Sequence, residues 1–178
     1  FGSALAVTAA DEINIEDDGA LDGFDELTIE MWVLMDEQQA TGLVQKGTDW
    51  GPTMSYLVQP WSDGKIYFGI QETASRAITQ PGDFPLGEWF HLAAVFDGSD
   101  LRLYIDGEML SEAPSPVGVV PDTDMPLQVG ARFTGSMDDF VLYDRALTVE
   151  EIATDMSGAV LSVEPRGKLA TLWGQLRR

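Results

Sequence analysis

The chain has 178 residues, with 30 Asp and Glu against 10 Lys and Arg and a formal net charge of −20, so it is one acidic domain whose field repels phosphate backbones and anionic lipid. Nucleic acid and membrane surfaces are therefore poor partners, while divalent cations and neutral ligands stay open. No apolar run approaches the ~18–20 residues of a membrane span, and the lack of cysteine excludes a disulfide framework and thiolate metal sites.

In chain order, residues 3–7 read as a short strand, and residues 12–16 alternate strictly, with Ile13 and Ile15 on one face and Glu12, Asn14 and Glu16 on the other. Asp17-Asp18-Gly19 breaks that strand. Residues 27–34 (LTIEMWVL) are rich in β-formers and apolar on both faces, which predicts a strand in the middle of a sheet. Residues 42–46 form another strand, followed by a loop through Gly47, Asp49, Trp50 and Pro52. Residues 53–59 and 65–71 predict a hairpin across Pro60-Trp61-Ser62-Asp63-Gly64, with 75–79 as a third strand, and the Pro/Gly content of 80–87 marks a loop.

The clearest unit is residues 88–107, EWFHLAAVFDGSDLRLYIDG, two alternating runs joined over Asp97-Gly98-Ser99-Asp100. The first run is apolar on both faces and is expected to be central. Asp106-Gly107 suits the positive backbone angles of a tight turn and extends the hairpin to a three-stranded meander. Residues 113–123 are broken by proline and read as irregular. Residues 125–131 and 136–143 are the last strands, the second opened by an acidic turn at Ser136-Met137-Asp138-Asp139. One short helix follows, with Thr148 as N-cap, Glu150 and Glu151 in the first turn and Gly158 beyond the end. Roughly a dozen short strands and one helix predict an all-β fold, a two-sheet antiparallel jelly-roll sandwich with one short C-terminal helix, over residues 1–158. Residues 159–178 turn basic, with Arg166, Lys168, Arg177 and Arg178, and read as a tail or linker. The opening at Phe1, with no basic n-region behind it, reads as a mature chain or an excised domain.

Three stretches resemble the laminin-G-like domains of the concanavalin A-like lectin/glucanase superfamily: LTIEMWV at 27–33, EWFHLAAVFDGS followed by LRLYIDG at 88–107, and GSMDDFVLYDRALTVEEI at 135–152. The resemblance runs over about residues 3–157 and leaves the tail uncovered. It implies two antiparallel sheets face to face, an N-terminal strand close to the closing one, often a calcium ion, and ligand binding at rim loops or on the concave sheet. Such domains are commonly appended to extracellular enzymes and adhesins, so the resemblance implies a secreted or surface-exposed protein whose partner is a glycan or another extracellular protein.

Candidate chemistry sorts by context. Glu12 and Glu16 resemble the paired glutamates of retaining glucanases in the same superfamily. A retaining mechanism needs carboxyls roughly 5–5.5 Å apart, whereas strand positions four apart are separated by about 13 Å, and Asn14 stands where those enzymes carry aspartate. The pair reads as the solvent face of an outer strand, and no catalytic residue is assigned. His91, the only histidine, reads as a structural hydrogen-bonding residue inside a covered strand, and Trp32 and Trp89 read as core.

The acid pairs supply hard oxygens of the kind calcium takes in groups of six to eight. If the N-terminal and closing strands are neighbours, as the resemblance implies, Asp138 and Asp139 with Asp17 or Asp18 are the candidate metal ligands. Trp50 and Trp61 lie in turn-like loops where a large ring has little packing reason to be. Asp49 with Trp50, and Trp61 with Asp63, are the candidate ligand-binding residues, because exposed rings beside carboxylates and amides suit sugar recognition. The favoured function is a non-catalytic carbohydrate- or protein-binding module with one structural calcium. A glycoside hydrolase or lyase of the same superfamily and a structural interaction domain of a larger protein stay open beside it.

Overall fold

The computed structural model describes residues 4–48, 51–71, 75–158 and the backbone of 170–171. With strands numbered in chain order, the first sheet runs β1 (Leu5–Val7), β12 (Gly135–Tyr143), β3 (Leu27–Leu34), β8 (Trp89–Phe96), β9 (Asp100–Ile105) and β10 (Glu108–Pro114). The second runs β2 (Ile13–Ile15), β11 (Leu127–Ala131), β4 (Gly42–Lys46), β5 (Tyr56–Pro60), β6 (Ile66–Ile70) and β7 (Ala77–Ile78). A two-residue strand, β13 (Ala170–Thr171), pairs with β12 beside the short β1. The rest of the predicted tail, and both Asp49 and Trp50, lie outside the described residues.

Alternation explains the core. In β3 the residues Leu27, Ile29, Met31 and Val33 point between the sheets, as do Phe90, Leu92, Ala94 and Phe96 of β8, and the two strands are in register along their whole length from Leu27 opposite Phe96 to Leu34 opposite Trp89. Val44, Tyr56, Val58, Phe68, Ile70 and Leu127 of the second sheet close the same cluster from the other side. The predicted meander is present, and its turn places Asp106 at φ 50° and Gly107 at φ 79°. Such a pair of left-handed residues matches the twist of a two-residue hairpin turn.

The first sheet carries a second, smaller cluster on its outer face, where Ala93, Val95, Tyr104 and Tyr143 pack with Leu147 and Ile152. Ile152 belongs to the helix α1 (Val149–Met156), which lies over this face. Its start is fixed by reciprocal bonds: the Thr148 hydroxyl accepts from the Glu151 backbone N–H, and the Glu151 carboxylate accepts from that of Thr148. That cover explains why β8 is apolar on both faces.

Two local expectations are corrected. Trp32 and Trp89 are half-buried on the outer face of the first sheet and not in the core, because their neighbours Met31, Val33 and Phe90 hold the inward positions in the alternation. Asp138 and Asp139 do not form a turn. They lie within β12 at a bulge, with Asp139 at φ 47° and the register against β3 shifting between Asp138 and Val141.

Candidate functional site

The hairpin of β5 and β6 builds the site. Its connection is closed by Trp61, whose N–H donates to the Lys65 carbonyl at 2.8 Å, and by Gly64, whose N–H donates to the Trp61 carbonyl at 3.0 Å. Gly64 sits at φ 81°, in the left-handed region that favours glycine, while the nearest atom to a Cβ there, the Gln38 side-chain nitrogen at 2.6 Å, is the end of a flexible side chain that can move aside. Beyond the last paired residue of β5 the chain turns away from the core and leaves Trp61 41% exposed.

Asp63 organises the turn. One carboxylate oxygen accepts the Lys65 backbone N–H at 3.2 Å, and the other accepts the Tyr67 hydroxyl at 2.7 Å. The Lys65 ammonium stands 3.5 Å away. Partial burial works to raise the Asp63 carboxyl, yet the Tyr67 hydroxyl, the Lys65 N–H and the Lys65 charge together hold it below the usual aspartate value. Tyr67 moves the other way, pushed up by desolvation and then by its bond to the anionic Asp63.

Gln59 faces Tyr67 in the strand register, and positions 59 and 61 share a side because they are two apart. Arg76, one residue before β7, completes the wall. Gln59, Trp61, Tyr67 and Arg76 line a groove of about 220 Å³ on the outer face of the second sheet. It offers an aromatic face, a phenol, an amide and a guanidinium, with a carboxylate at the rim. Trp61 and Asp63 were legible as turn residues. Gln59, Tyr67 and Arg76 were not singled out, although pairing β5 with β6 outward from the Trp61–Gly64 turn would have put Gln59 and Tyr67 side by side with Trp61.

The four candidate metal ligands are not grouped as one site: Asp138 and Asp139 lie in β12 of the first sheet, Asp17 and Asp18 in the loop after β2. β1 does pair with β12, from Leu5 opposite Met137 to Val7 opposite Gly135, but Asp17 and Asp18 follow β2, which pairs with β11 in the other sheet. Asp17 accepts from the Lys46 ammonium at 2.6 Å. The same ammonium donates to the carbonyls of Met125 at 2.8 Å and Thr123 at 3.2 Å, and lies 3.1 Å from the Asp22 carboxylate. The hydrogen bond from Lys46 pulls Asp17 down; burial pushes Asp22 up, outweighing its bonds from Thr123 and Lys46. Asp18 is exposed and caps the Ala20 N–H, while Asp138 accepts the N–H of Asp139. Among the described residues no three Asp, Glu or His side chains come together as a metal site. The acids as placed do not fit a calcium centre, because the oxygens best grouped for a cation already surround Lys46.

Glu12 and Glu16 flank the edge strand β2. Glu12 accepts from Asn14 at 2.8 Å and from Gln128 at 3.4 Å, an amide-bonded surface arrangement. His91 is 3% exposed on the outer face of β8, its ring edge-on to Trp32 at 5.3 Å. Its backbone N–H donates to the Asp106 carboxylate, and its Nε2 stands 3.9 Å from Glu30. Desolvation lowers His91 to about 4 against the opposing charges of Asp106 and Asp155, so the ring is neutral at pH 7. The histidine is a packed, uncharged part of the layer under α1.

A family profile for the concanavalin A-like lectin/glucanase superfamily, of laminin-G type, matches residues 7–153. Pappalysin-1 of Mus musculus is 28% identical over 129 residues, 65% of this chain, and that of Homo sapiens is 25% identical over 156 residues, 74% of this chain. The chain spans only 8% and 10% of those two proteins. Among solved structures, domain 4 of an extracellular arabinanase from Geobacillus stearothermophilus, in complex with arabinotriose, superposes with a TM-score of 0.63 at 17% identity, covering 84% of this chain and 74% of that one. Domains LG4-5 of the mouse laminin alpha1 chain give 0.61 at 18% identity, covering 82% of this chain and 44% of that one. At such identities the structural likeness is one of fold.

Proposed function

The chain belongs to the concanavalin A-like lectin/glucanase superfamily, and from that premise we propose that it is a non-catalytic binding module of a secreted or surface-displayed protein, taking carbohydrate in the Trp61 groove. The observation that carries this reading is Trp61 itself, a large ring left 41% exposed over a groove whose other walls are an amide, a phenol and a guanidinium. An indole face stacks on the C–H face of a sugar ring, and the polar walls take its hydroxyls. The Asp63 carboxylate fixes the Tyr67 hydroxyl, so part of the wall is ordered before ligand arrives. The arabinotriose held by the arabinanase domain supports a sugar as the ligand class for this fold.

The test is a glycan-array screen followed by calorimetric titration of the best binder. Trp61→Ala is expected to weaken binding about tenfold to a hundredfold while leaving the melting temperature close to wild type. Because Gln59, Trp61, Tyr67 and Arg76 bring no carboxylate to the groove wall to hold a divalent cation, EDTA is expected to leave affinity unchanged. An array with no carbohydrate hit, or a Trp61→Ala protein that binds as well as wild type, defeats the proposal.

A further inference from the structure

We infer that the structural cation of this domain is the Lys46 ammonium, seated in a cage of oxygens that takes a calcium ion once the lysine side chain is removed. The resemblance to laminin-G-like domains implied calcium and offered Asp17 to it, whereas the structure gives Asp17 to Lys46. The Lys46 side chain is 0% exposed, and its ammonium lies 2.6 Å from Asp17 Oδ1, 2.8 Å from the Met125 carbonyl, 3.1 Å from Asp22 Oδ2 and 3.2 Å from the Thr123 carbonyl. Two carboxylates and two carbonyls converging on one point are the hard oxygen set that calcium takes. The acids do not stand alone here, because a fully buried cation already occupies their centre. The cage shares no residue with the Trp61 groove.

The walls of the cage are held by bonds that do not involve Lys46. The Thr123 N–H donates to Asp22 Oδ2 at 2.9 Å, the Tyr56 hydroxyl donates to the Leu21 carbonyl at 2.9 Å, and the Ser55 hydroxyl donates to the Pro121 carbonyl. Tyr56 opens β5 and Ser55 precedes it, so the loop after β2 and the approach to β11 are each pinned to the second sheet beside the cage. Removing the lysine stem therefore leaves the oxygens grouped and opens room for water. Water then completes the six to eight oxygens that calcium collects.

In the wild-type chain the ammonium makes a metal unnecessary. It donates N–H groups to Asp17, Thr123 and Met125, and a divalent ion brought to the same point would meet it as a like charge at contact distance. A cation carried on the chain is also present at every calcium concentration, whereas a bound ion stabilises only according to its occupancy. With the lysine gone, two carboxylates face each other with no cation between them. Calcium is favoured over magnesium there, because magnesium demands near-ideal octahedral contacts at about 2.0–2.1 Å and gives up its water reluctantly.

The experiment uses the full 178-residue chain, stripped with EDTA and dialysed, in thermal melts and calorimetric titrations against calcium chloride and magnesium chloride. Wild type is expected to melt within about 1 °C in EDTA and in calcium, and to show no calcium binding. Lys46→Ala is expected to melt lower in EDTA and to regain about 5–10 °C once calcium reaches ~100 times its dissociation constant, with magnesium giving much less. Should Lys46→Ala be unfolded in EDTA, the same calcium titration is read as recovery of the folded circular-dichroism signal. Adding Asp22→Asn to Lys46→Ala removes one carboxylate and is expected to weaken calcium at least about tenfold. A wild type that calcium stabilises by more than about 3 °C overturns the inference. So does a Lys46→Ala chain that gains neither melting temperature nor folded signal in calcium, magnesium as effective as calcium, or a double variant that responds as strongly as the single one.

Discussion

Replacing Lys46 with methionine is expected to destabilise the fold by about 3–5 kcal/mol, the usual cost of removing one partner from a buried charge cluster. The Lys46 side chain is 0% exposed and that of Asp22 is 2% exposed. Methionine fills the volume of the aliphatic stem but leaves the Asp22 carboxylate and the Thr123 and Met125 carbonyls facing a thioether. These groups belong to the loop after β2 and the approach to β11, so the ammonium ties two connections to the end of β4. Urea unfolding at pH 7 measures the loss, and the double variant Lys46→Met with Asp22→Asn is expected to recover part of it, since the orphaned charge is gone. A single variant within ~1 kcal/mol of wild type contradicts this account of the cluster.

The second large effect is a pH dependence written into the layer between the first sheet and α1. Glu30 lies on the outer face of β3, 2% exposed, with neither carboxylate oxygen in a hydrogen bond of normal geometry. Around it stand His91 from β8, Tyr143 and Arg145 from β12 and its connection, and Asp155 and Glu151 from the helix, with Tyr143 donating its hydroxyl to Asp155. Burial first, then the Asp155 charge, raise Glu30 to about 9. Folding therefore demands a neutral Glu30, whereas the unfolded chain ionises it near 4.5. Its contribution is intact at low pH and is lost as pH rises from about 4.5 to about 9.

His91 has the opposite sense. It is lowered to about 4 in the fold, so it penalises folding as pH falls below 6.5 and ceases to matter above. Between pH 4.5 and 6.5 the two slopes oppose each other, and from 6.5 to 9 only that of Glu30 remains. At about 1.4 kcal/mol per pH unit, wild type is expected to lose ~3 kcal/mol between pH 6.5 and 9. Glu30→Gln keeps the shape without a proton to lose, and its urea midpoint is expected to stay nearly flat over that range. A wild-type midpoint that does not move between those pH values rules out the protonated, buried glutamate.

Much of the architecture was legible because alternation is a local signal with a global consequence. The two-faced apolar runs of β3 and β8 announced their central place, Asp106-Gly107 announced its turn, and the Thr148 and Glu151 pair marked the start of α1. The outward rings of Trp32 and Trp89 escaped because a strand covered on both sides offers no polar face to set the parity. Asp138 and Asp139 looked like a turn because a bulge and a turn share the same left-handed aspartate.

The site was half legible for a related reason. Trp61 and Asp63 stand in a turn, which composition reveals. Gln59 and Tyr67 join them through strand register, and Arg76 through a third strand, relations that no window of adjacent residues contains. Lys46 was harder still, since a lysine at the end of an apolar strand reads as the point where the chain meets water. Its parity with Val44 and the returning acidic loop carry it inward instead.

In the proposed function, ligand sits on the outer face of the β5–β6 hairpin. The most direct measurement is an amide and indole NMR titration of the ¹⁵N-labelled protein with the best glycan from the array. The predicted result is that the Trp61 indole N–H, the Gln59 side-chain amide and the Tyr67 backbone shift together and saturate with one affinity, while α1 and the Trp32–His91 layer stay still. Shifts confined to α1, to the first sheet or to the β10 edge, with Trp61 unmoved at saturation, would contradict it.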